Sequence, residues 1–263
     1  MEKLSYTIPG MSALPSEREN PFQSQVDNFN SAKAPPGEYN CSLCSNRGGF
    51  LYLNRQGYKV FRPCSCTRIR SSITMARTSG MEEQLRQKTF ETFRTGQVWQ
   101  KKLLDAAREY LKHPGAWFAL CGQSGSGKTH LCSAICRELI RSGQQVRYMR
   151  WMDVAPRLKD LDLDAEIRNR EKESYKTVPV LYIDDLLKVG GNDRPSRAEL
   201  SLALEIVNYR YSMDLPTVLS TELSTDALMD LDQALGGRIR EKCDKFFLNI
   251  SPDPRKNFRL HGV

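Results

Sequence analysis

Gly122-Gln-Ser-Gly-Ser-Gly-Lys128-Thr129 satisfies the pattern G-x-x-x-x-G-K-[ST] in full. Ahead of it, Ala116-Trp-Phe-Ala-Leu-Cys121 is a short apolar run with the character of a buried strand. Behind it, His130 to Arg141 places Leu131, Ile135 and Leu139 at i, i+4 and i+8, which predicts a helix. Strand, glycine loop and helix together let successive backbone N–H groups and a helix N-terminus wrap a phosphate chain. Gly122, Gly125 and Gly127 allow the tight turn and the close approach, and Gln123, Ser124 and Ser126 complete the loop. Lys128 is expected to reach the β- and γ-phosphates, and the Thr129 hydroxyl to ligate Mg²⁺. His130, in the first turn of the helix, closes the candidate nucleotide-contacting set, with a purely structural role as its alternative. The pattern in this context predicts binding of a nucleoside triphosphate.

Beyond the loop, apolar runs alternate with helix-compatible segments. Strands are predicted at 116–121, 145–150, 179–183, 217–221 and 246–250, and helices at 98–111, 128–141, 199–212 and 226–242. A charged stretch, 153–176, is also compatible with helix. Short apolar strands separated by amphipathic helices predict an α/β fold, a parallel sheet covered on both faces. No internal repeat is present.

Val178-Pro-Val-Leu-Tyr-Ile-Asp184-Asp185 is an apolar strand ending in two carboxylates, about 55 residues after the loop. In that position Asp184 is expected to hold Mg²⁺, directly or through water, and Asp185 to orient and polarise the attacking water. The alternative is a solvated strand end. Asp185 is one methylene shorter than Glu, so slow hydrolysis is expected. Leu215-Pro-Thr-Val-Leu-Ser220-Thr221-Glu222 is a second buried strand, ending in hydroxyls. At the same sheet edge Ser220 or Thr221 could contact the γ-phosphate or the lytic water, or simply cap the strand. Leu235-Gly-Gly-Arg238-Ile-Arg240 offers two arginines, either of which could neutralise γ-phosphate charge in a neighbouring subunit or be an ordinary surface residue.

A second signal lies upstream. Cys41-x₂-Cys44 and Cys64-x-Cys66 are two close pairs about twenty residues apart, suited to a tetrahedral Zn²⁺. Gly48-Gly49 and Pro63 fit tight turns around a metal. So short a segment buries little core, so the metal is expected to supply folding energy; a redox or disulfide pairing is the alternative. Cys121, Cys132, Cys136 and Cys243 fall in predicted core elements and are read as small buried hydrophobes. His113 is expected at a helix end.

The 263-residue chain carries 40% hydrophobic and 27% charged residues, suiting a globular protein of one ordinary domain plus a small module. The net charge of +8 is unevenly spread: Cys41 to Arg77 holds Arg47, Arg55, Lys59, Arg62, Arg68, Arg70 and Arg77 and no acid. Four thiolates on Zn²⁺ would offset about two of these charges, leaving a basic module suited to a polyanion. Phe50, Tyr52, Tyr58 and Phe61 could stack on unpaired bases or serve as the module's core. No apolar run reaches membrane-spanning length, and no basic-then-apolar leader opens the chain, so a cytoplasmic protein is expected. Residues 1–40 are expected to be disordered or a partner-binding arm, 41–70 the zinc module, 71–97 a linker, and 98–263 the nucleotide-binding domain.

Taken in order, these motifs resemble the DnaC/DnaI/IstB group of AAA+ ATPases, and more narrowly the DnaC-like helicase loaders of phages and prophages of Gram-positive bacteria. The resemblance runs from Cys41 to Arg259. Besides the motifs above, it is carried by Thr89-Phe-Glu-Thr-Phe93, Tyr182-Ile-Asp-Asp-Leu-Leu-Lys188, Glu205-Ile-Val-Asn-Tyr-Arg-Tyr211 and Asn257-Phe-Arg259. It implies a three-layer α/β/α AAA+ fold without a C-terminal lid domain, and a weak ATPase stimulated by DNA or partner. Its implied partners are a replicative DnaB-type helicase, single-stranded DNA, and further copies of the chain joined through the ATP sites. It assigns Ser220/Thr221 to the sensor-1 region and Arg238 to the arginine-finger position. Two departures stand out: Glu222 replaces the group's usual Asn, and the sensor-2 arginine has no clear counterpart, although Arg259 could approach the nucleotide. An IstB-like regulator of DNA transposition is the alternative the same motifs allow.

Overall fold

The computed structural model describes residues 20–37, 39–113, 115–160, 164–190 and 194–259. The chain divides into two compact units, 1–67 and 68–263.

In the first unit, α1 (Gln23–Ser31) is followed by an antiparallel hairpin of β1 (Gly49–Leu53) and β2 (Lys59–Pro63). Asn30 acts as a surrogate strand. Its side-chain amide donates to the Leu51 carbonyl at 2.8 Å and its oxygen accepts the Leu51 N–H at 3.1 Å. These bonds satisfy backbone groups that a hairpin edge otherwise leaves to water. So the described part of the expected arm, residues 20–40, contains a helix packed on the hairpin; residues 1–19 lie outside the described residues. Only Val26 of α1 is buried, which leaves too little apolar periodicity to reveal the helix in advance.

The second unit is a five-stranded parallel sheet in the order β4-β5-β6-β3-β7, built from β3 (Phe118–Gly122), β4 (Val146–Arg150), β5 (Val180–Asp184), β6 (Thr217–Ser220) and β7 (Phe247–Ile250). Its helices are α2 (Cys66–Thr78, whose first residues lie in the other unit), α3 (Glu82–Gln87), α4 (Val98–Tyr110), α5 (Lys128–Arg141), α6 (Trp151–Lys159), α7 (Ala165–Thr177), α8 (Arg197–Ser212), α9 (Thr225–Leu231) and α10 (Gln233–Cys243). The pleat sorts alternate residues into two cores. Phe118, Leu120, Tyr148, Tyr182 and Val218 face one layer with Leu104 of α4 and Leu131 and Ile135 of α5. Trp117, Ala119, Met149, Leu181, Ile183 and Leu219 face the other, with Val154 of α6, Ile206 of α8 and Ile239 of α10. This is the expected three-layer α/β/α arrangement. Among the described residues no helix is long and apolar enough to cross a membrane.

Two boundaries differ from the sequence reading. Residues 71–97 are not a linker: Ala76, Met81, Phe90 and Phe93 are buried in the first core, so this segment belongs to the nucleotide-binding unit. The single helix expected over 226–242 is two, because Asp232 adopts an extended conformation and caps α10 by accepting the Leu235 N–H at 2.7 Å.

Arg210 shows how the sheet is held in register. It is fully buried, and its guanidinium donates to the carbonyls of Val178 at 2.8 Å, Lys176 at 2.9 Å and Pro216 at 2.6 Å, and to Thr217 Oγ1 at 2.9 Å. One planar fork on α8 thus ties the end of α7 to the starts of β5 and β6. This accounts physically for the arginine in Asn208-Tyr-Arg-Tyr211.

Candidate nucleotide site and cysteine centre

β6 lies between β3 and β5, so the loop after β3, the acids ending β5 and the hydroxyls ending β6 converge at one edge of the sheet. Ligand sites of open parallel sheets form outside such carboxyl ends. The loop over 122–127 leads directly into α5. Gly122 has φ of 93°, and a Cβ there would stand 2.3 Å from the Ile250 carbonyl oxygen, so no other residue fits. Gly127 caps α5 in the left-handed region at φ of 87°, and a Cβ would meet the Phe93 ring at 2.9 Å.

A pocket of about 290 Å³ opens over this loop. Its lining includes Ser124, Gly125, Gly127, Lys128, Thr129 and His130, joined by Asp185, Lys188 and Glu222 at one end. Lys88, Thr92, Phe93, Arg94, Phe258 and Arg259 form the remainder. Ser126 is buried beneath the loop and donates to the Gln123 carbonyl at 2.6 Å, while the Gln123 side chain accepts the Asp253 N–H at 3.1 Å. Phe258 N–H donates to the Gly125 carbonyl at 2.9 Å, and its ring packs edge-on against Phe93. Two apolar rings, Phe93 and Phe258, and five cations, Lys88, Arg94, Lys128, Lys188 and Arg259, in the same cavity suit a ligand with an aromatic base and a polyanionic tail.

Lys128 is buried, and its Nζ donates to the Gly122 and Gln123 carbonyls at 2.7 and 2.8 Å. Burial pulls its pKa below the ordinary lysine value, against the opposing pull of Glu222 and Asp185. Burial likewise lowers Lys88. The His130 ring sits 2.8 Å from the Thr89 carbonyl and 3.2 Å from the Thr92 hydroxyl, with Phe93 stacked edge-on at 5.4 Å. Burial lowers its pKa, and a neutral ring donating to Thr89 fastens the 89–93 segment to α5.

Asp184 is buried and accepts four hydroxyl bonds. Thr129, Tyr182 and Ser220 donate to Oδ1 at 3.0, 2.7 and 2.6 Å, and Tyr148 donates to Oδ2 at 2.9 Å. These four use about all the lone-pair sites of a carboxylate. Asp185 has a left-handed backbone at φ of 58°, which turns its side chain into the pocket. Its N–H donates to Ser220 Oγ at 3.0 Å, so one fully buried hydroxyl fixes both acids.

Thr221 is not brought to the pocket. Its hydroxyl is fully buried, donates to the Leu186 carbonyl at 2.9 Å and accepts the Leu223 N–H at 3.2 Å. Neither Ser220 nor Thr221 lines the cavity; Ser220 braces the acids from behind, and Thr221 fastens the Leu186 turn that follows them. Arg238 also stands outside its own chain's pocket, on α10, with its guanidinium 5.7 Å from the Tyr211 ring centre. Arg240 lies 5.4 Å from the Phe247 ring centre and donates to the Asp244 carbonyl at 2.7 Å.

In the first unit Cys41, Cys44, Cys64 and Cys66 are buried, with all four sulfurs within 4.8 Å of one another. The 41–64 and 44–66 sulfur pairs are 3.8 and 3.5 Å apart. A tetrahedral zinc with Zn–S bonds of about 2.3 Å requires sulfur separations of about 3.8 Å, so the cluster fits that ion. The Cys44 backbone pulls the Cys41 thiol down to about 7, while burial and the neighbouring sulfurs push Cys66 up. Packed thiols that resist sharing negative charge are what a bound cation relieves. His113 terminates α4, its ring 3.1 Å from Glu109.

The sequence reading did not anticipate Lys88, Thr92, Phe93, Arg94, Lys188 or Phe258 as pocket residues. The Thr89-Phe-x-x-Phe93 and Asn257-Phe-Arg259 patterns were visible, but only the fold reveals that they meet over the loop.

Residues 64–241 match the family described as IstB-like ATP binding protein. The phage-like element PBSX protein XkdC of Bacillus subtilis (strain 168) is 33% identical over 244 residues, covering 88% of this chain and 90% of that protein. The replicative helicase loader DnaC of Escherichia coli (strain K12) is 27% identical over 190 residues, covering 70% of this chain and 75% of the loader. Among solved structures, DnaI superposes with a TM-score of 0.52 at 22% identity, over 66% of this chain and 93% of that one. A DnaC helicase loader gives 0.51 at 24% identity, over 65% and 99%. At these identities the structures attest to the fold.

Proposed function

The chain belongs to the IstB/DnaC family of AAA+ P-loop proteins, and we propose that it is an ATP-dependent loader that places a replicative DnaB-type helicase on single-stranded DNA. The observation that carries the reading is the convergence of Lys128, Thr129 and Asp185 in a single pocket that Phe93 and Phe258 also line. The partner follows from the similarity to DnaC, named as a replicative helicase loader, along 70% of the chain.

In this reading Phe93 and Phe258 flank the base, and the loop N–H groups with Lys128 bind the phosphates. Thr129 and Asp184 would hold Mg²⁺, which when bound neutralises phosphate charge and fixes the terminal phosphoryl group. The hydroxyls on Asp184 hold its carboxylate beside Thr129, so the two groups that would hold the ion are fixed together. Asp185 accepts the proton of the attacking water. Ser220 holds these acids in place, and Thr221 holds the Leu186 turn beside them, without touching the nucleotide. Arg238, remote from its own pocket, serves the pocket of a neighbouring copy in an ATP-bridged assembly. The four cysteines would hold Zn²⁺ as the cross-link of the small unit. With Arg47, Arg55, Lys59 and Arg62 on and beside the hairpin, and with Tyr52, Tyr58 and Phe61 exposed there, that unit offers single-stranded DNA both local charge and stacking faces.

The family description favours a second reading, an IstB-like regulator of DNA transposition using the same ATP site. A pull-down from host lysate with ATP present separates them. Recovery of a hexameric helicase supports the loader; recovery of a transposase in its place overturns it.

A further inference from the structure

Lys188 is a pocket cation that the functional reading leaves without a role. Its Nζ lies 3.1 Å from Asp185 Oδ2 and 2.9 Å from Glu222 Oε1, forming one bridge between two acids that end different strands. The three side chains are largely shielded, with exposures of 26% for Lys188, 22% for Asp185 and 34% for Glu222. All three line the pocket together with Lys128. Two carboxylates at this place would oppose any polyanion arriving there, and the repulsion grows in a partly dehydrated cavity. Lys188 is the pocket cation bonded to both of them.

We propose that Lys188 is a positioning and specificity residue that neutralises the Asp185–Glu222 pair, making the pocket accept a terminal phosphate and favour nucleoside triphosphate over diphosphate. The inference rests on the nucleotide-binding reading above. The diphosphate ends farther from the two acids, so it is less sensitive to their charge. Glu222 is the reason the extra cation is required: the acid and the lysine are a compensating pair. Lys188 is bonded to Asp185, so its effect on turnover runs through the placement of that carboxylate.

The test is equilibrium titration of the full chain with fluorescent N-methylanthraniloyl ATP and ADP in Mg²⁺, with thermal melts as the check on folding. Lys188→Ala is expected to weaken ATP binding by about ten- to a hundredfold and ADP binding by less than about threefold, as for truncating one partner of a half-shielded charge cluster. Lys188→Arg, keeping the charge, should preserve the ATP-to-ADP preference. Adding Glu222→Gln to Lys188→Ala should restore most of the ATP affinity, because the charge to be neutralised is gone. A bystander lysine would not be rescued in this way. Glu222→Gln alone should tighten ATP more than ADP, an arm that does not depend on Lys188→Ala folding. The proposal is overturned if Lys188→Ala binds ATP within about twofold of wild type. It is equally overturned if ATP and ADP weaken together, if the double variant shows no recovery, or if Glu222→Gln weakens ATP. Failure of the wild-type chain to bind either nucleotide would instead remove the nucleotide-site reading on which the proposal stands.

Discussion

Ser220→Ala tests whether the acids of the site are positioned as described. The hydroxyl is fully buried, accepts the Asp185 N–H at 3.0 Å and donates to Asp184 Oδ1 at 2.6 Å. Its removal orphans a buried backbone N–H, costing about 1–3 kcal/mol, and deletes a charge-assisted bond worth about 1.5–3 kcal/mol. Asp184 keeps three other hydroxyl partners, so the second contribution belongs at its low end. The expected loss is about 3 kcal/mol, which in a domain of this size lowers Tm by about 6–12 °C. The buried Trp117 and Trp151 provide the fluorescence signal for a denaturant or thermal melt of this unit. Ser133 supplies the control: it is equally buried in α5, but its Oγ has no partner among the described residues. Ser133→Ala, the same chemical change, is therefore expected to leave stability unchanged or raise it slightly. ATP turnover should fall in Ser220→Ala and stay near wild type in Ser133→Ala. If the two variants melt within about 1 kcal/mol of each other, the bracing role of Ser220 is wrong.

Other outcomes follow from the same geometry. Purified without chelators, the protein should carry about one Zn²⁺ per chain, and Cys44→Ser should lose it and unfold the small unit while nucleotide binding persists; metal analysis and limited proteolysis check both. Asp185→Asn should bind ATP but turn it over at least tenfold more slowly, as removal of a general base costs about 10²–10⁴-fold; turnover at the wild-type rate would relieve Asp185 of that role. Arg238→Ala should bind ATP normally while losing stimulated ATPase activity. Mixing it with Lys128→Ala should restore part of that activity, because one orientation of a mixed pair is intact. Mixed oligomers that form and remain inactive would point to Arg240 instead.

The parts of the fold visible in the sequence are those fixed by local chemistry. A glycine loop between an apolar run and a helix has one geometry, and an apolar run ending in Asp184-Asp185 has one direction, so the strands appear within two residues of their expected places. What was hidden depends on contacts between distant residues. Phe90 and Phe93 anchor a polar stretch in the core singly, with no periodicity to betray them. Ser220 and Thr221 carry hydroxyls that could point either way from a strand end, and their true partners, the Asp185 N–H and the Leu186 carbonyl, are set by a backbone turn that composition does not encode. The Lys188–Glu222 bridge joins residues 34 apart and has no motif at all. Arg210 was noticed as part of a pattern, but its bonds to strand-start carbonyls, rather than any ligand, explain its presence.

The central claim, that an ATP switch in this pocket delivers a helicase to DNA, is tested most directly with closed circular single-stranded DNA coated with binding protein, purified hexameric replicative helicase from the host, and this chain. Helicase retained on the circle after gel filtration is the measurement. The account predicts retention with wild-type protein and ATP, and little with the Lys128→Ala variant or with no protein added. Retention that is the same with and without this chain, or the same for wild type and Lys128→Ala, would contradict it.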